Sequence, residues 1–174
     1  MDDFNAPNRV EPASDADERT MLLGWLDYHR ETLAAKCAGL TDDQLKQRSV
    51  APSTMSLLGL VRHLTDVERT WIRERFDGQA GLPHYWSEAN YDDDFDALDD
   101  TPVEQVWASW RAEHQAVGEV LDRSPDLAQT TQVRRHNGGH PSLRWILTHL
   151  IEEYARHNGH ADLLREAIDG QTGE

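Results

Sequence analysis

Two residues one helical turn apart, Glu153 and His157, carry the most specific chemistry in this sequence. With residue 149 set to zero at about 100° per residue, the apolar side chains around them (Leu143, Ile146, Leu147, Leu150, Tyr154, Ala161, Leu164 and Ile168) centre at roughly 110°. His157 falls at about 80°, inside that arc, and Glu153 at about 40°, on its border. His160 and His149 lie near 20° and 0°, whereas Glu152 points away at roughly 300°. The four-residue spacing lets one helix offer two ligands to one metal ion. His63, flanking the stripe of Leu60, Leu64 and Val67, is the natural third ligand. A buried carboxylate beside buried imidazoles is costly unless the groups are paired or share a cation. Two His and one Glu form a ligand set of catalytic zinc sites, which keep a fourth position for water or substrate.

Other polar residues interrupt the apolar stripes, and each has a structural reading beside the functional one. His160 and His29 are the candidate proton-transfer groups for such a site. His114, His149 and Arg156 are the candidates for cavity-lining or ligand-orienting roles. A lone inward histidine is more often a hydrogen-bonded core residue than a ligand, and His29 and His114 taken singly fit that description. Cys37, without a nearby basic cluster, reads as a small buried hydrophobe rather than a nucleophile. Trp25, Trp107 and Trp110 read as core, and Arg156 and Arg165 as solvated-face charges. The acidic run Asp92-Asp93-Asp94 lacks calcium-loop spacing and reads as a solvated loop.

These residues need helices to position them, and the helix punctuation is legible. Residues 1–13 form an irregular lead-in. Ser14, followed by Asp17 and Glu18, reads as the cap of a first helix that runs to about Lys36 and ends at Gly39. Its inward stripe is Leu22, Leu26, His29, Leu33 and Leu40. Thr41 to Gln44 is a capping box opening a short helical turn. Ser56 caps a second long helix, about Leu57 to Phe76, and residues 77–100 read as a long connection without regular structure. Thr101 reads as an N-cap with Pro102 at the first helical position and Glu104 completing the box of a third helix, to about Asp122. After a polar loop at 124–141, Ser142 caps a fourth helix that stops at Asp169-Gly170. Four long amphipathic helices predict an all-α four-helix bundle spanning residues 1–174 as one domain.

Composition narrows the partners. With 17 Lys plus Arg against 32 Asp plus Glu, the net charge is −15, which disfavours polyanion binding and makes nucleic acid an unexpected partner. No run reaches the length of a membrane span, and the N-terminus lacks a secretory pattern. A soluble cytoplasmic protein is expected. A single cysteine leaves histidine and carboxylate as the available metal ligands.

The segments SLLGLVRHLTDVERTW (56–71) and WILTHLIEEYARHNGHADLLREAIDGQTG (145–173) resemble the two signature stretches of the DinB-like superfamily. The similarity takes in GLTDDQL and APSTMSLLGLVRHL as well. Its metal motif is similar to that of mycothiol-dependent maleylpyruvate isomerases. The resemblance implies an up-down-down-up bundle binding a divalent metal, zinc or nickel, through His63, Glu153 and His157. Glu153 stands where many members have His, and His160 stands where generic members have Gln. Its role as an extra ligand or an acid–base group stays open. The resemblance implies a thiol such as mycothiol as co-substrate, a small electrophile as its partner, and S-transfer or isomerisation as the reaction. The alternatives are a non-catalytic metal- or ligand-binding stress-response module, a homodimer among its forms, or a metal-dependent hydrolase.

Overall fold

A computed structural model describes residues 9–135 and 138–172; the first eight residues of the expected lead-in and positions 136 and 137 of the polar loop lie outside it. The described chain is all-helical, with a single isolated bridge between Thr130 and Ser142 in place of any strand. Six helices follow in order: α1 (Glu18–Cys37), α2 (Asp42–Lys46), α3 (Leu57–Glu68), α4 (Asp93–Asp96), α5 (Val103–Asp122) and α6 (Leu143–Asp169). No described helix is long and apolar enough to cross a membrane.

The caps explain most boundaries. Thr41 and Gln44 make the reciprocal capping box that opens α2. Ser56 accepts from Gly59 N and Ser142 from Trp145 N, satisfying donors that a helix start leaves orphaned. Gly170, at φ 77°, closes α6 in the left-handed conformation that glycine adopts without steric cost. Two caps differ from expectation. A turn from Ala13 to Ala16 precedes α1, so Asp17 rather than Ser14 takes the cap and accepts from Thr20 N at 3.1 Å. Thr101 donates its hydroxyl to Ala97 O at 2.8 Å and leaves Pro102 at the cap of α5.

The second long helix changes character after Glu68. Residues Arg69–Phe76 continue it as a wider π-helix, which ends with Asp77 N bonded to Ile72 O. The connection that follows is not wholly irregular, because α4 forms inside it. Arg62, almost fully buried, donates to Ala97 O at 2.7 Å and Asp93 O at 2.9 Å, tying α4 to α3. Gly59 makes room for it, since a Cβ there would lie 2.8 Å from Phe95.

Helix α1 packs along α6, and α3 packs against α5, α6 and α4. Leu26, Leu33, Leu60, Leu64, Val117, Leu147 and Leu150 are among the buried residues of one continuous apolar core. Arg165 belongs to this interior rather than to a solvated face. It is 3% exposed and donates to Lys36 O and Ala38 O, the carbonyls left open at the end of α1.

Candidate metal centre

The cluster assembles from two helices whose apolar faces meet in the core. Leu60 and Leu64 hold one face of α3 inward and Leu150, Tyr154 and Ala161 do the same for α6. His63, Glu153 and His157, on the borders of those faces, are thereby brought together, with one ligand atom from each lying within 4.8 Å of the others. His157 Nε2 stands 3.6 Å from Glu153 Oε2, and the rings of His63 and His157 are 4.7 Å apart. Zinc bonds of about 2.1 Å in tetrahedral array separate their ligand atoms by about 3.4 Å, so the spacing fits a small divalent cation.

Ring orientation supports the same fit. His63 Nδ1 lies 2.7 Å from Asp94 Oδ2, which leaves Nε2 for a ligand. His157 Nδ1 lies 3.3 Å from His160 Nδ1, so one of the pair carries the proton and His157 Nε2 is left facing Glu153. Metal-binding histidines commonly have the second ring nitrogen engaged in this way. The adjacent His157 imidazole, at 3.6 Å, holds the Glu153 carboxyl below its usual range despite partial burial, with Arg156 and His149 adding to the effect.

Asp94 overturns one expectation from the sequence. It is 4% exposed and does not belong to a solvated acidic loop. Ser87 and Asn90 donate to Asp93 at 2.8 Å, Arg62 grips the carbonyls at 93 and 97, and Asp94 is delivered onto His63. No local pattern marks it, because its partner is 31 residues away.

The remaining candidates take separate places. His160 stands behind His157, and burial together with the neighbouring His157 and Arg156 charges lowers its pKa. His149 lies on the far side of Glu153, with Nε2 at 3.6 Å from Glu153 Oε1 and its ring against Trp71 and Trp145. Together with Glu152 and Glu153 it forms a second grouping within ligand spacing, of which Glu152 is exposed. Arg156 is bonded to Glu152 and reaches Glu153 Oε2 at 3.6 Å. His29 packs on Trp25 and Tyr28, and its backbone carbonyl accepts from Asn158.

His114 belongs to a different cluster. One residue from each long helix meets there: Arg30, Glu68, His114 and Tyr154. Arg30 grips both oxygens of the fully buried Glu68, Tyr154 donates to Glu68 Oε1 at 2.6 Å, and His114 Nε2 lies 3.2 Å from the same oxygen. Burial alone would raise the Glu68 carboxyl, but Arg30 and His114 outweigh it and hold it far below its usual range. Glu153 is not the only carboxylate in need of a partner. Glu68, Asp66, Asp94 and Glu113 are all nearly inaccessible and need one equally. Cys37 is buried and its thiol is pushed up to about 12, which removes it as a nucleophile.

Beside His63 lies a cavity of about 210 Å³, bounded also by Asp66, Thr70, Trp71, Trp86 and Asp94. Asp66 accepts from Tyr85 N at 2.6 Å and Trp86 N at 3.3 Å, and its other oxygen binds Arg69. This anchor holds the indole of Trp86, stacked on Tyr91, as the outer wall.

Residues 21–170 match the family model for mycothiol S-transferase. The chain belongs to the mycothiol S-transferase family. That family is DinB-like, in agreement with the resemblance carried by the VRHL and ARHNGH segments. The match contains α3 and α6 in full, and therefore His63, Glu153 and His157. A comparison with curated proteins gave no match.

Proposed function

We propose that this member of the mycothiol S-transferase family is a metal-dependent enzyme that joins the thiol of mycothiol to a small electrophile. The observation that carries the proposal is the convergence of His63, Glu153 and His157 beside a cavity, with Asp94 and His160 engaged on the other nitrogens of the two imidazoles. His63, Glu153 and His157 would hold the cation, zinc or nickel, and the four long helices form a four-helix bundle around the core. When bound, the cation supplies the Lewis acidity that makes a thiol, mostly protonated at neutral pH, a thiolate.

Each neighbouring residue then has a task. Asp94 holds His63 in the tautomer that presents Nε2, and His160 does the same for His157. Trp71 and Trp86 limit water access and provide apolar walls for the electrophile. In the transfer, the thiol S–H bond breaks with its proton passing to solvent. Sulfur forms a bond to the electrophilic carbon, whose leaving group departs with the electron pair of the broken bond. The reaction uses an intracellular thiol, which agrees with a cytoplasmic location.

The test is turnover of mycothiol with 1-chloro-2,4-dinitrobenzene, following the thioether and released chloride. Zinc- or nickel-loaded protein should turn over, stripped protein should not, and glutathione should replace mycothiol poorly. Equal rates with and without metal, or no turnover by loaded protein, would overturn the reading.

A further inference from the structure

The metal cluster is continued by a patch of unusual charge. Trp71 links the two, because its ring lies 4.9 Å from that of His149, next to Glu153, and 5.2 Å from that of Trp145. The Arg135 guanidinium sits over both indoles, 5.4 Å from Trp71 and 4.7 Å from Trp145, and Arg75 lies over Trp71 at 5.2 Å. A second cavity of about 470 Å³, bordered by Arg75, Arg134 and Arg135, shares Thr70 and Trp86 with the cavity beside His63. The two cavities are neighbours, one bordered by His63 and the other by the arginines.

In a chain of net charge −15, three neighbouring arginines should attract carboxylates from nearby surface. Among the described residues none is ion-paired with any of the three. Arg75 donates one bond to Arg134 O at 3.4 Å, and its Nε is shielded with no partner. The carboxylate that also borders this cavity, Glu74, is engaged by His84 Nε2 at 2.9 Å. A guanidinium laid on an indole is held by its face, which leaves its N–H edge available for a planar anion. Arg135 is therefore positioned by stacking, and among the described residues no side-chain hydrogen bond or ion pair takes up its guanidinium donors.

We propose that Arg75, Arg134 and Arg135 receive an anionic group, a carboxylate above all, on the electrophilic co-substrate, whose reactive carbon is thereby directed toward the metal cluster. The inference rests on the transfer reading above, and its test is a binding measurement that requires neither thiol nor turnover. Two probes of one shape, 3-nitrobenzoate and 3-nitrobenzamide, are titrated into the metal-loaded protein by calorimetry. The benzoate should bind about tenfold tighter, and added salt should erode the difference. Arg75→Gln/Arg135→Gln should abolish the preference, whereas Arg111→Gln, an exposed arginine on α5, should retain it. Circular dichroism and melting temperature confirm that each variant is folded. Equal binding of both probes to the unmodified protein, a preference that survives the double substitution, or one lost equally in Arg111→Gln would overturn the proposal. Should the benzoate preference hold while mycothiol turnover fails, the anion site stands and the transferase reading falls.

Discussion

Two polar clusters interrupt the same apolar core, and they are solved in opposite ways. Around Glu68, the negative charge is matched inside the protein: Arg30 grips both oxygens, and Tyr154 and His114 complete the shell. Around Glu153, the neighbours are imidazoles at 3.6 Å and a half-exposed Arg156 whose short bond is to Glu152. A buried charge with an internal counter-ion makes a closed structural device. A carboxylate facing imidazoles whose other nitrogens are already engaged lacks such an internal counter-ion, and the proposed cation would complete it. The contrast teaches that burial of a charged group does not itself mark function. What marks it is which donors and acceptors remain unspent.

The largest effect should come from breaking the closed cluster. Arg30→Ala leaves Glu68 buried and uncompensated, and chemical denaturation should show a loss of about 3–5 kcal/mol. A loss below about 1 kcal/mol would mean that the two clusters are not distinct in kind. Asp94→Asn acts on the open cluster instead. It should weaken metal affinity by about 10–100-fold while leaving the metal-free melting temperature almost unchanged. Competition with a chromogenic chelator measures this, and unaltered affinity would remove Asp94 from the account. Gly59→Ala should act in the same direction and more weakly, because its methyl group pushes Phe95, and with it α4, away from His63. The smallest effect concerns the loop that walls the cavity. Burial lowers the His84 pKa, but the nearby Asp66 carboxylate, at 3.5 Å, and the Glu74 carboxylate, bonded at 2.9 Å, outweigh it and the net shift is upward. Its contribution is therefore complete below about 6.5 and is lost as pH rises through the higher folded value. Trp86 fluorescence should report loosening on that alkaline side in the unmodified protein and little pH dependence in His84→Phe.

Much of this was legible from residue spacing. Thr41, Ser56, Ser142 and Gly170 mark helix ends because capping is local chemistry. The wheel that puts Glu153 and His157 on one face works because α6 is long and its apolar arc well populated. The same arithmetic on α3 places Glu68 at roughly 40° from Leu64, within the arc of Leu57 and Val61, so its burial too is legible from spacing. Asp94 was not. Its acidic run resembles any solvated loop, and only the packing of α4 through Arg62 and Gly59 gives it a partner. Arg165 reads as a surface charge for a related reason, since the carbonyls it satisfies belong to the end of another helix.

The most direct test of the central claim compares one histidine from each cluster. Untagged protein is supplied with zinc or nickel, separated from free ion and analysed for bound metal. The account predicts about one ion per chain in the unmodified protein and in His114→Ala, and none in His157→Ala. An unmodified protein that binds no ion, or a His157→Ala variant that keeps it, would contradict the account.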